Sequence, residues 1–333
     1  MSGDVLVTGG AGFVGSHVVD ALLARGERVR VLVRPTTDRR FLPVDRVTFV
    51  PGDVGDESPA GAADLVQACA GARLVIHAAG ITQARRVTDF ARVNACGTER
   101  VLTAAREAAV PRVVLVSSQA AAGPTPGPSP RVESDPDAPV GAYGASKLAG
   151  EHAARRVVAA GGATSLVIVR PPGVYGPRDQ AFLALFRMVR AGVVPLHRPE
   201  RQWVSLVHAR DLASGLLLAG ERGAPGSTYY VSDGVPRTSA SIVDAVAQAL
   251  GKRPLRLDPP AFLLRFAVSV AEGLAGVTGA QARLTSERLV DWMAPRWTVS
   301  HEAARRDLGF EPVIGFKQGI EETTAWYRSI GWI

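Results

Sequence analysis

The chain has 333 residues, of which 47% are hydrophobic and 21% are charged, a balance that predicts one large globular domain or two joined ones. Its formal net charge is +7, but no Lys/Arg-rich run is interleaved with aromatic residues, which argues against nucleic-acid binding. No apolar run of 18 residues occurs and the first strand signal begins by residue 4, so we expect a cytoplasmic protein without a signal peptide or a membrane span. Cys69 and Cys96 lack metal-ligand spacing, so we expect no metal site and two reduced, buried cysteines.

Short β-branched runs alternate with helical patterns through the first half of the chain. Strands are predicted at 5–7, 29–33, 47–50, 74–76, 113–116 and 166–169, and helices at 14–25, 62–70, 90–109 and 143–160. Repeated strand–helix units favour a parallel sheet with right-handed crossovers. We therefore expect an α/β protein with a doubly wound parallel sheet, the Rossmann fold.

The regular alternation of strand and helix patterns ends at Pro171. Beyond it we predict one strand, at 228–231, and helices at 181–190, 208–219, 239–250, 261–277, 301–308 and 317–327. We assign 1–170 to a nucleotide-binding domain, completed by segments within 204–235. Residues 171–203 and 236–333 form a smaller C-terminal substrate-binding portion in this prediction.

The predicted helix 261–277 carries only two charges, Arg265 and Glu272. An apolar helix of this length is typical of a buried or pocket-lining position, which is our first expectation. The alternative is a weak monotopic contact with a membrane, or a lid over an apolar substrate.

The first strand runs into a loop with glycines at 9, 10, 12 and 15, and a helical pattern follows. Gly9 permits a tight turn, Gly12 lets the backbone approach a pyrophosphate, and Gly15 allows close packing of helix and strand. The pyrophosphate would lie at the helix N-terminus, where unpaired N–H groups favour an anion. An ordinary glycine-rich turn is the alternative, but the strand before the loop and the helix after it favour the nucleotide site.

Tyr143 and Lys147 stand four residues apart at the start of a predicted helix and so share one face. A phenol has a pKa near 10, and lowering it by about 3 units takes roughly 4 kcal/mol, which a nearby ammonium and an oxidised nicotinamide can supply. Tyr143 could then exchange a proton with a substrate oxygen. The alternative is a packing tyrosine. The preceding strand ends in Ser117-Ser118, either of which could hydrogen-bond that oxygen.

These motifs resemble the extended branch of the short-chain dehydrogenase/reductase superfamily. The resemblance rests on residues 8–15, on Ser118, Tyr143 and Lys147 in order and spacing, and on the segments 52–53, 77–80, 93–98 and 170–178. It implies that Ser118, in preference to Ser117, acts with Tyr143 and Lys147 in catalysis. It also implies a homodimer formed through the helices at 90–109 and 143–160. The cofactor contacts it implies are Thr8, Gly9, Gly12, Phe13, Val14, Gly15, Arg34, Asp53, Val54, Ala78, Ala79, Gly80, Asn94, Lys147, Pro171, Gly173 and Val174.

The residue at the end of the second predicted strand bears on the choice of cofactor. A carboxylate there normally accepts hydrogen bonds from the ribose hydroxyls of NAD, but this chain has Arg34. A guanidinium pairs with a 2′-phosphate instead, so we expect NADP, with NAD still possible if Asp38 folds back toward the ribose.

Two departures from the family pattern bear on the substrate. Relatives that act on nucleotide sugars often carry an Asn where this chain has Gly173 and an Arg where it has Val204. Without these polar side chains, the pattern is nearer to the 3β-hydroxysteroid dehydrogenases and dihydroflavonol reductases, whose substrates are apolar. Candidate substrate-binding residues are Thr82, Gln83, Gln119, Tyr143, Tyr175, His197 and Trp203.

The resemblance therefore implies an NADP-dependent oxidoreductase that interconverts a ketone and a secondary alcohol on an apolar small molecule. A nucleotide-sugar epimerase or dehydratase with tightly bound NAD(P) is the alternative. A non-enzymatic redox sensor is a third hypothesis, which the retention of both Tyr143 and Lys147 disfavours.

Overall fold

A computed structural model describes residues 3–84, 86–278, 289 and 293–333 of the chain. The strands of its central sheet are β1 (Asp4–Thr8), β2 (Val29–Val33), β3 (Thr48–Pro51), β4 (Ala72–His77), β5 (Arg112–Val116), β6 (Ser165–Arg170) and β11 (Thr228–Tyr230). These seven strands are parallel and lie in the order β3-β2-β1-β4-β5-β6-β11. The central strands are almost wholly buried, as valine-rich strands covered on both faces must be. The predicted doubly wound parallel sheet is confirmed.

Helices cover both faces of this sheet and bury one apolar cluster on each. One face carries α1 (Phe13–Ala24), α7 (Ala209–Arg222) and α10 (Glu302–Leu308). The other carries α2 (Pro59–Cys69), α4 (Gly97–Glu107) and α5 (Gly141–Ala159). Because α7 and β11 lie beyond residue 203, the later part of the chain returns to the first sheet.

The helix predicted at 90–109 is present as one unbroken helical run from Val87 to Glu107, but it is not α-helical throughout. The structure has a short helix α3 (Val87–Phe90), a π-helical segment (Ala91–Cys96) and then α4. The wider π turn lies where α5 comes close: a Cβ on Gly150 would stand 2.6 Å from the carbonyl oxygen of Asn94. Such local widening is common at functional sites. Cys96 at its end is exposed, so the prediction that both cysteines are buried holds only for Cys69.

The C-terminal portion encloses a third apolar cluster. Helices α6 (Leu183–Ala191), α8 (Ser239–Leu250) and α11 (Phe316–Ser329) pack around it. Three small sheets surround these helices: β7 (Gly173–Tyr175) with β10 (Leu206–His208), β8 (Val193–Pro195) with β13 (Leu255–Leu257), and β12 (Arg237–Thr238) with β9 (Trp203–Val204) and β14 (Arg296–Trp297).

Helix α9 (Ala261–Thr278) contradicts the expectation of a buried helix over its described side chains. Phe262 is 67% exposed and Phe266 is 69% exposed, whereas Val268 is buried. The side chains of 267 and 271–278 lie outside the described residues. Among the helices that the structure describes, none is long and apolar enough to cross a membrane.

Candidate active site

The glycine loop lies at the carboxyl end of β1 and leads directly into α1. Gly9 has a φ of +69°, a conformation that favours glycine, and its carbonyl oxygen accepts a 3.0 Å hydrogen bond from the Gly12 N–H. A Cβ on Gly15 would lie 2.1 Å from that same oxygen, so no other residue fits there. Helix α1 has no side-chain cap and no carboxylate in its first turn. Open N–H groups at a helix N-terminus fit the pyrophosphate of a dinucleotide.

The residues at the end of β2 form the cationic edge expected beside a ribose. Arg34 is exposed, and its backbone N–H donates a 2.9 Å hydrogen bond to Oγ1 of Thr37. The Arg39 guanidinium stacks 4.3 Å from the Phe49 ring. Asp38 forms an ion pair with Arg40, and hydrogen bonds from Arg40 hold the pKa of its carboxyl below the usual value. In this structure the Asp38 carboxylate is therefore paired with a neighbouring guanidinium.

The turn after β3 contains two further predicted cofactor residues. Asp53 accepts a 2.8 Å hydrogen bond from the Gly55 N–H through Oδ1 and so shapes the turn. Val54 is 7% exposed, and its carbonyl oxygen accepts a 2.6 Å hydrogen bond from Arg100. Its side chain lies within the apolar cluster below α2 and α4, which leaves only its backbone N–H for a ligand.

The loop after β4 is tied to β1. The Ala78 N–H donates to the Thr8 carbonyl oxygen at 3.1 Å, and the Ala79 N–H donates to Thr8 Oγ1 at 3.3 Å. A Cβ on Gly9 would stand 2.6 Å from the Ala79 nitrogen, so the two loops touch. Gly80 is exposed at the end of this run. The cofactor-binding loops predicted from residues 8–15 and 78–80 therefore line one edge of the sheet together.

Asn94, another predicted cofactor contact, is 1% exposed and its amide is fully engaged. Its Oδ1 accepts from the Ile81 N–H at 2.8 Å, and its Nδ2 donates to the Ile81 carbonyl at 2.9 Å and to Ser146 Oγ at 3.0 Å. Asn94 thus joins the loop after β4 to α5. Its side chain thus positions this loop, and its contact with the cofactor stays a prediction.

Tyr143 and Lys147 occupy the first two turns of α5. Lys147 is 7% exposed, and its Nζ donates a 2.8 Å hydrogen bond to the Val116 carbonyl oxygen. The same Nζ lies 3.8 Å from the point that a Cβ on Gly80 would occupy. Burial lowers the pKa of Lys147 to about 8, against an opposing effect of the nearby Glu151 carboxylate. The ammonium therefore lies between α5, the end of β5 and the loop after β4.

The two candidate serines differ in what their hydroxyls do. Ser117 is buried, and its Oγ donates to the Glu151 carboxylate. Ser118 is half-buried, and its Oγ accepts from the Ala120 N–H at 3.1 Å. Helix α5 begins directly against this turn, since a Cβ on Gly144 would lie 2.4 Å from the Ala120 carbonyl oxygen. The turn that holds Ser118 and the helix start that holds Tyr143 are therefore in contact.

A buried ion cluster behind Lys147 was not predicted from the sequence. Arg170 donates to Glu151 at 2.6 Å and to Asp137 at 2.7 Å, and Glu151 is 1% exposed. The cluster fixes α5 against the end of β6 and places a carboxylate one turn beyond Lys147. The only sequence signal was the four-residue spacing between Lys147 and Glu151.

The predicted substrate-binding residues differ in how exposed they are and in what they contact. Gln83 is exposed in the loop after β4, and Trp203 is half-buried on β9. Gln119 is half-buried, and its Oε1 has no hydrogen-bond partner among the described residues, which suits a ligand contact. Tyr175 is 1% exposed and packs against the rings of Phe182, His208 and Phe316, so it lies in the core rather than at an open cleft.

The remaining predicted site residues differ in burial and in their contacts. Thr82 is exposed beside Gln83, and His197 is buried with Nδ1 4.0 Å from Asp258. Pro171 accepts a 2.9 Å hydrogen bond from the Gln119 N–H through its carbonyl oxygen. Phe13 and Val14 in the first turn of α1, and Gly173 and Val174 on β7, are half-buried.

Comparison with known proteins agrees with this architecture. The model of the NAD dependent epimerase/dehydratase family matches residues 5–232. The chain is 31% identical to 4-hydroxy-2-methyl-3-oxo-4-farnesyl-3,4-dihydroquinoline-1-oxide ketoreductase of Stigmatella aurantiaca, covering 95% of this chain and 94% of that protein. It is also 31% identical to 3 beta-hydroxysteroid dehydrogenase/Delta 5→4-isomerase of Mycobacterium tuberculosis, covering 98% and 91%.

Solved structures share the fold over the whole chain. The UDP-glucose 4-epimerase of Thermus thermophilus in complex with NAD has a TM-score of 0.76 at 28% identity and covers 98% of this chain and 99% of its own. The matching relatives are named oxidoreductases, epimerases and dehydratases. This chain therefore belongs to the NAD dependent epimerase/dehydratase family, the extended short-chain dehydrogenases/reductases, and is an enzyme of that class.

Proposed function

We propose that this enzyme is an NADP-dependent oxidoreductase that interconverts a ketone and a secondary alcohol on an apolar small molecule. The observation that carries the proposal is the placement of Lys147. It follows Tyr143 by one turn of α5, and its buried ammonium lies between α5 and the loop after β4. Residues 1–170, with segments within 204–235, bind the cofactor in this proposal, and 171–203 with 236–333 bind the substrate.

Three side chains carry the proton chemistry. The bound cofactor supplies or accepts the hydride. The Tyr143 hydroxyl donates a proton to the substrate oxygen during reduction and accepts it during oxidation. The Lys147 ammonium stabilises the phenolate, and the Ser118 hydroxyl hydrogen-bonds the substrate oxygen. Ser117 is not available for this role, because its hydroxyl is committed to Glu151.

An apolar substrate is supported by two residues and by the relatives. Gly173 and Val204 replace the polar side chains that nucleotide-sugar enzymes often carry at these positions. A farnesylated quinoline ketoreductase and a 3β-hydroxysteroid dehydrogenase are among the similar proteins. Gln83, Gln119 and Trp203 are the proposed substrate contacts.

NADP is proposed because Arg34 stands where a carboxylate would bind the NAD ribose, with Arg39 and Arg40 soon after it, and because Asp38 is paired with Arg40. We further propose a cytoplasmic homodimer that associates through α4 and α5.

The test is consumption of NADPH, followed at 340 nm, with cyclic and β-keto substrates. Turnover of an apolar ketone is expected, and Tyr143→Phe should lower kcat at least about 100-fold, because general acid–base catalysis contributes that much. Its affinity for NADPH should stay within about twofold. Loss of NADPH binding in Tyr143→Phe would contradict the proposed role of the phenol.

The second candidate is a nucleotide-sugar epimerase or dehydratase with tightly bound NAD(P). It is favoured by the similarity to a UDP-glucose 4-epimerase that binds NAD. Conversion of a sugar nucleotide without net consumption of cofactor, together with no NADPH oxidation by any ketone, would select this function instead.

A further inference from the structure

Exposed apolar side chains are concentrated in one stretch of the C-terminal portion. Among the described residues, thirteen large hydrophobic side chains are exposed, and six of them lie between 255 and 270. Both exposed phenylalanines of this described set, Phe262 and Phe266, are in this stretch. Isolated exposed apolar residues are ordinary, but a contiguous group of them marks an interaction surface.

The exposed residues of α9 form one stripe. Phe262, Phe266 and Val270 follow each other at four-residue spacing, and Leu263 stands three residues before Phe266. Residues three and four apart lie on the same side of a helix, so these four side chains face one way. Val268, on the other side, is 4% exposed.

A small exposed sheet face directly precedes this helix. Leu255 is 62% exposed, Leu257 is 44% exposed, and Val193 pairs with Leu255 across the β8–β13 ladder and is 42% exposed. Leu255 and Leu257 alternate with Arg256, so they share one face of the strand. Pro259 and Pro260 link the strand to α9. We name the exposed apolar residues of these consecutive elements the α9 face: Val193, Leu255, Leu257, Phe262, Leu263, Phe266 and Val270.

The charge around the α9 face is positive. Between 252 and 270 the chain has four cations, Lys252, Arg253, Arg256 and Arg265, all of them exposed. The one carboxylate in this range, Asp258, accepts a 3.0 Å hydrogen bond from the Arg198 N–H. Asp244, on α8, forms an ion pair with Arg256. Counting these two carboxylates and Glu272 of α9, the segment 252–278 together with Asp244 carries an excess of one positive charge.

From this pattern we propose that the α9 face docks on the surface of an anionic lipid bilayer. The phenylalanines and leucines enter the boundary between headgroups and acyl chains, and Lys252, Arg253 and Arg265 contact the anionic headgroups. A symmetric contact with a second copy would bring like charges together, which disfavours that occupant. The proposal does not depend on the reaction that the enzyme catalyses.

The test is co-sedimentation of the full-length protein with vesicles of phosphatidylglycerol and phosphatidylcholine, compared with phosphatidylcholine alone. Wild type should bind the anionic vesicles at least about tenfold more tightly, since each basic residue near such a surface contributes roughly fivefold. Phe262→Ser with Phe266→Ser should reduce binding to anionic vesicles at least tenfold. Lys252→Gln with Arg253→Gln should reduce it by a similar factor and flatten its dependence on salt.

Val313→Ser is the matched control, because Val313 is 80% exposed but lies outside the α9 face. It should bind vesicles as wild type does. Far-UV circular dichroism and NADPH binding check that every variant is folded. The proposal is overturned if folded wild type does not bind anionic vesicles, or if Phe262→Ser with Phe266→Ser binds them as well as wild type. It is also overturned if that variant converts a wild-type dimer into monomers, since the face would then be an interface between copies.

Discussion

At the scale of single residues, the most consequential side chain is a lysine that the fold buries at a cost. Lys147 has its pKa lowered from 10.5 to about 8, chiefly by burial, with Glu151 acting in the opposite direction. Below pH 8 both the folded and the unfolded chain hold the proton, and the folded state bears the full penalty of about 3 kcal/mol. The penalty shrinks between pH 8 and 10.5 and vanishes above, so this group makes the protein more stable as the pH rises through that range.

Lys147→Met should therefore stabilise the protein without cofactor while it abolishes turnover. At pH 7 we expect the free energy of unfolding to rise by about 1–2 kcal/mol, because the Val116 carbonyl loses its 2.8 Å hydrogen bond and offsets part of the gain. At pH 10.5 the gain should be gone. Urea unfolding at both pH values measures this, and destabilisation of equal size at pH 7 and 10.5 would contradict the assigned burial cost.

Arg34 sets the cofactor preference in the proposed function. Arg34→Ser should raise the Kd for NADPH roughly tenfold or more and change the Kd for NADH less than about threefold, because a charge-assisted hydrogen bond to the 2′-phosphate is lost. Arg28→Ser is the matched control: it removes the same charge at the opposite end of β2, where Arg28 pairs with Asp4. Equal loss of NADPH affinity in both variants would contradict a specific contact between Arg34 and the 2′-phosphate, because the change in net charge alone would explain it.

At the scale of elements, the site depends on close backbone approach between loops and helices. Gly15 brings the first turn of α1 against Gly9, and Gly144 brings the start of α5 against Ala120. Each contact is shorter than any Cβ permits, so each joins two functional elements that a larger residue would separate. The π-helical segment Ala91–Cys96 also joins functional elements, in this case through a side chain. Asn94 in this segment hydrogen-bonds both the loop after β4 and α5.

Gly15→Ala should push the glycine loop away from α1, because the new Cβ would lie 2.1 Å from the Gly9 oxygen. We expect a Kd for NADPH that is higher by roughly tenfold or more, and a lower Tm, because the anion-binding N–H groups lose their alignment. Fluorescence titration and thermal unfolding measure the two quantities. Gly127→Ala, at a position where a Cβ meets nothing within 4 Å, should change neither. A Gly15→Ala protein that binds NADPH as wild type does would refute this account of the loop.

At the scale of the whole molecule, three histidines are buried in neutral form. Burial lowers the pKa of His17 to about 4, of His77 to about 3 and of His208 to about 4. Their unfolded value is about 6.5, so below that pH the unfolded chain binds more protons than the folded one. The stability that depends on these histidines being neutral is fully present above pH 6.5 and is lost as the pH falls toward 4. Asp179 acts in the opposite direction, since burial raises its pKa to about 6.

We therefore expect marked acid sensitivity. Between pH 6.5 and 4, protonation linked to each buried histidine should lower the free energy of unfolding by about 3 kcal/mol. Protonation of Asp179 relieves the cost of burying its charge and should offset the loss from about one histidine. Burial also raises the pKa of Glu133, Asp211 and Asp233, and these carboxyls offset a further part of the loss. The free energy of urea unfolding at pH 7, 6 and 5 measures it. His152→Gln, which changes an exposed histidine, should leave the profile unchanged, and a flat profile in wild type would contradict the prediction.

The sequence by itself determined the local features: the strand, glycine loop and helix at residues 4–24, the repeated strand–helix units, and the shared face of Tyr143 and Lys147. Each depends on residues a few positions apart, so pattern and periodicity are sufficient. They also sufficed to predict the doubly wound sheet and the family.

Only the tertiary structure decided which distant groups meet. The cluster of Asp137, Glu151 and Arg170, the engagement of Asn94, and the π-helical segment within the helix predicted at 90–109 all depend on α5 approaching other elements. The exposure of Cys96 and of the α9 face likewise depends on which neighbours the fold supplies. Packing between residues far apart in the chain leaves no periodic signal, because the contacts are set by the assembled elements and not by local propensity.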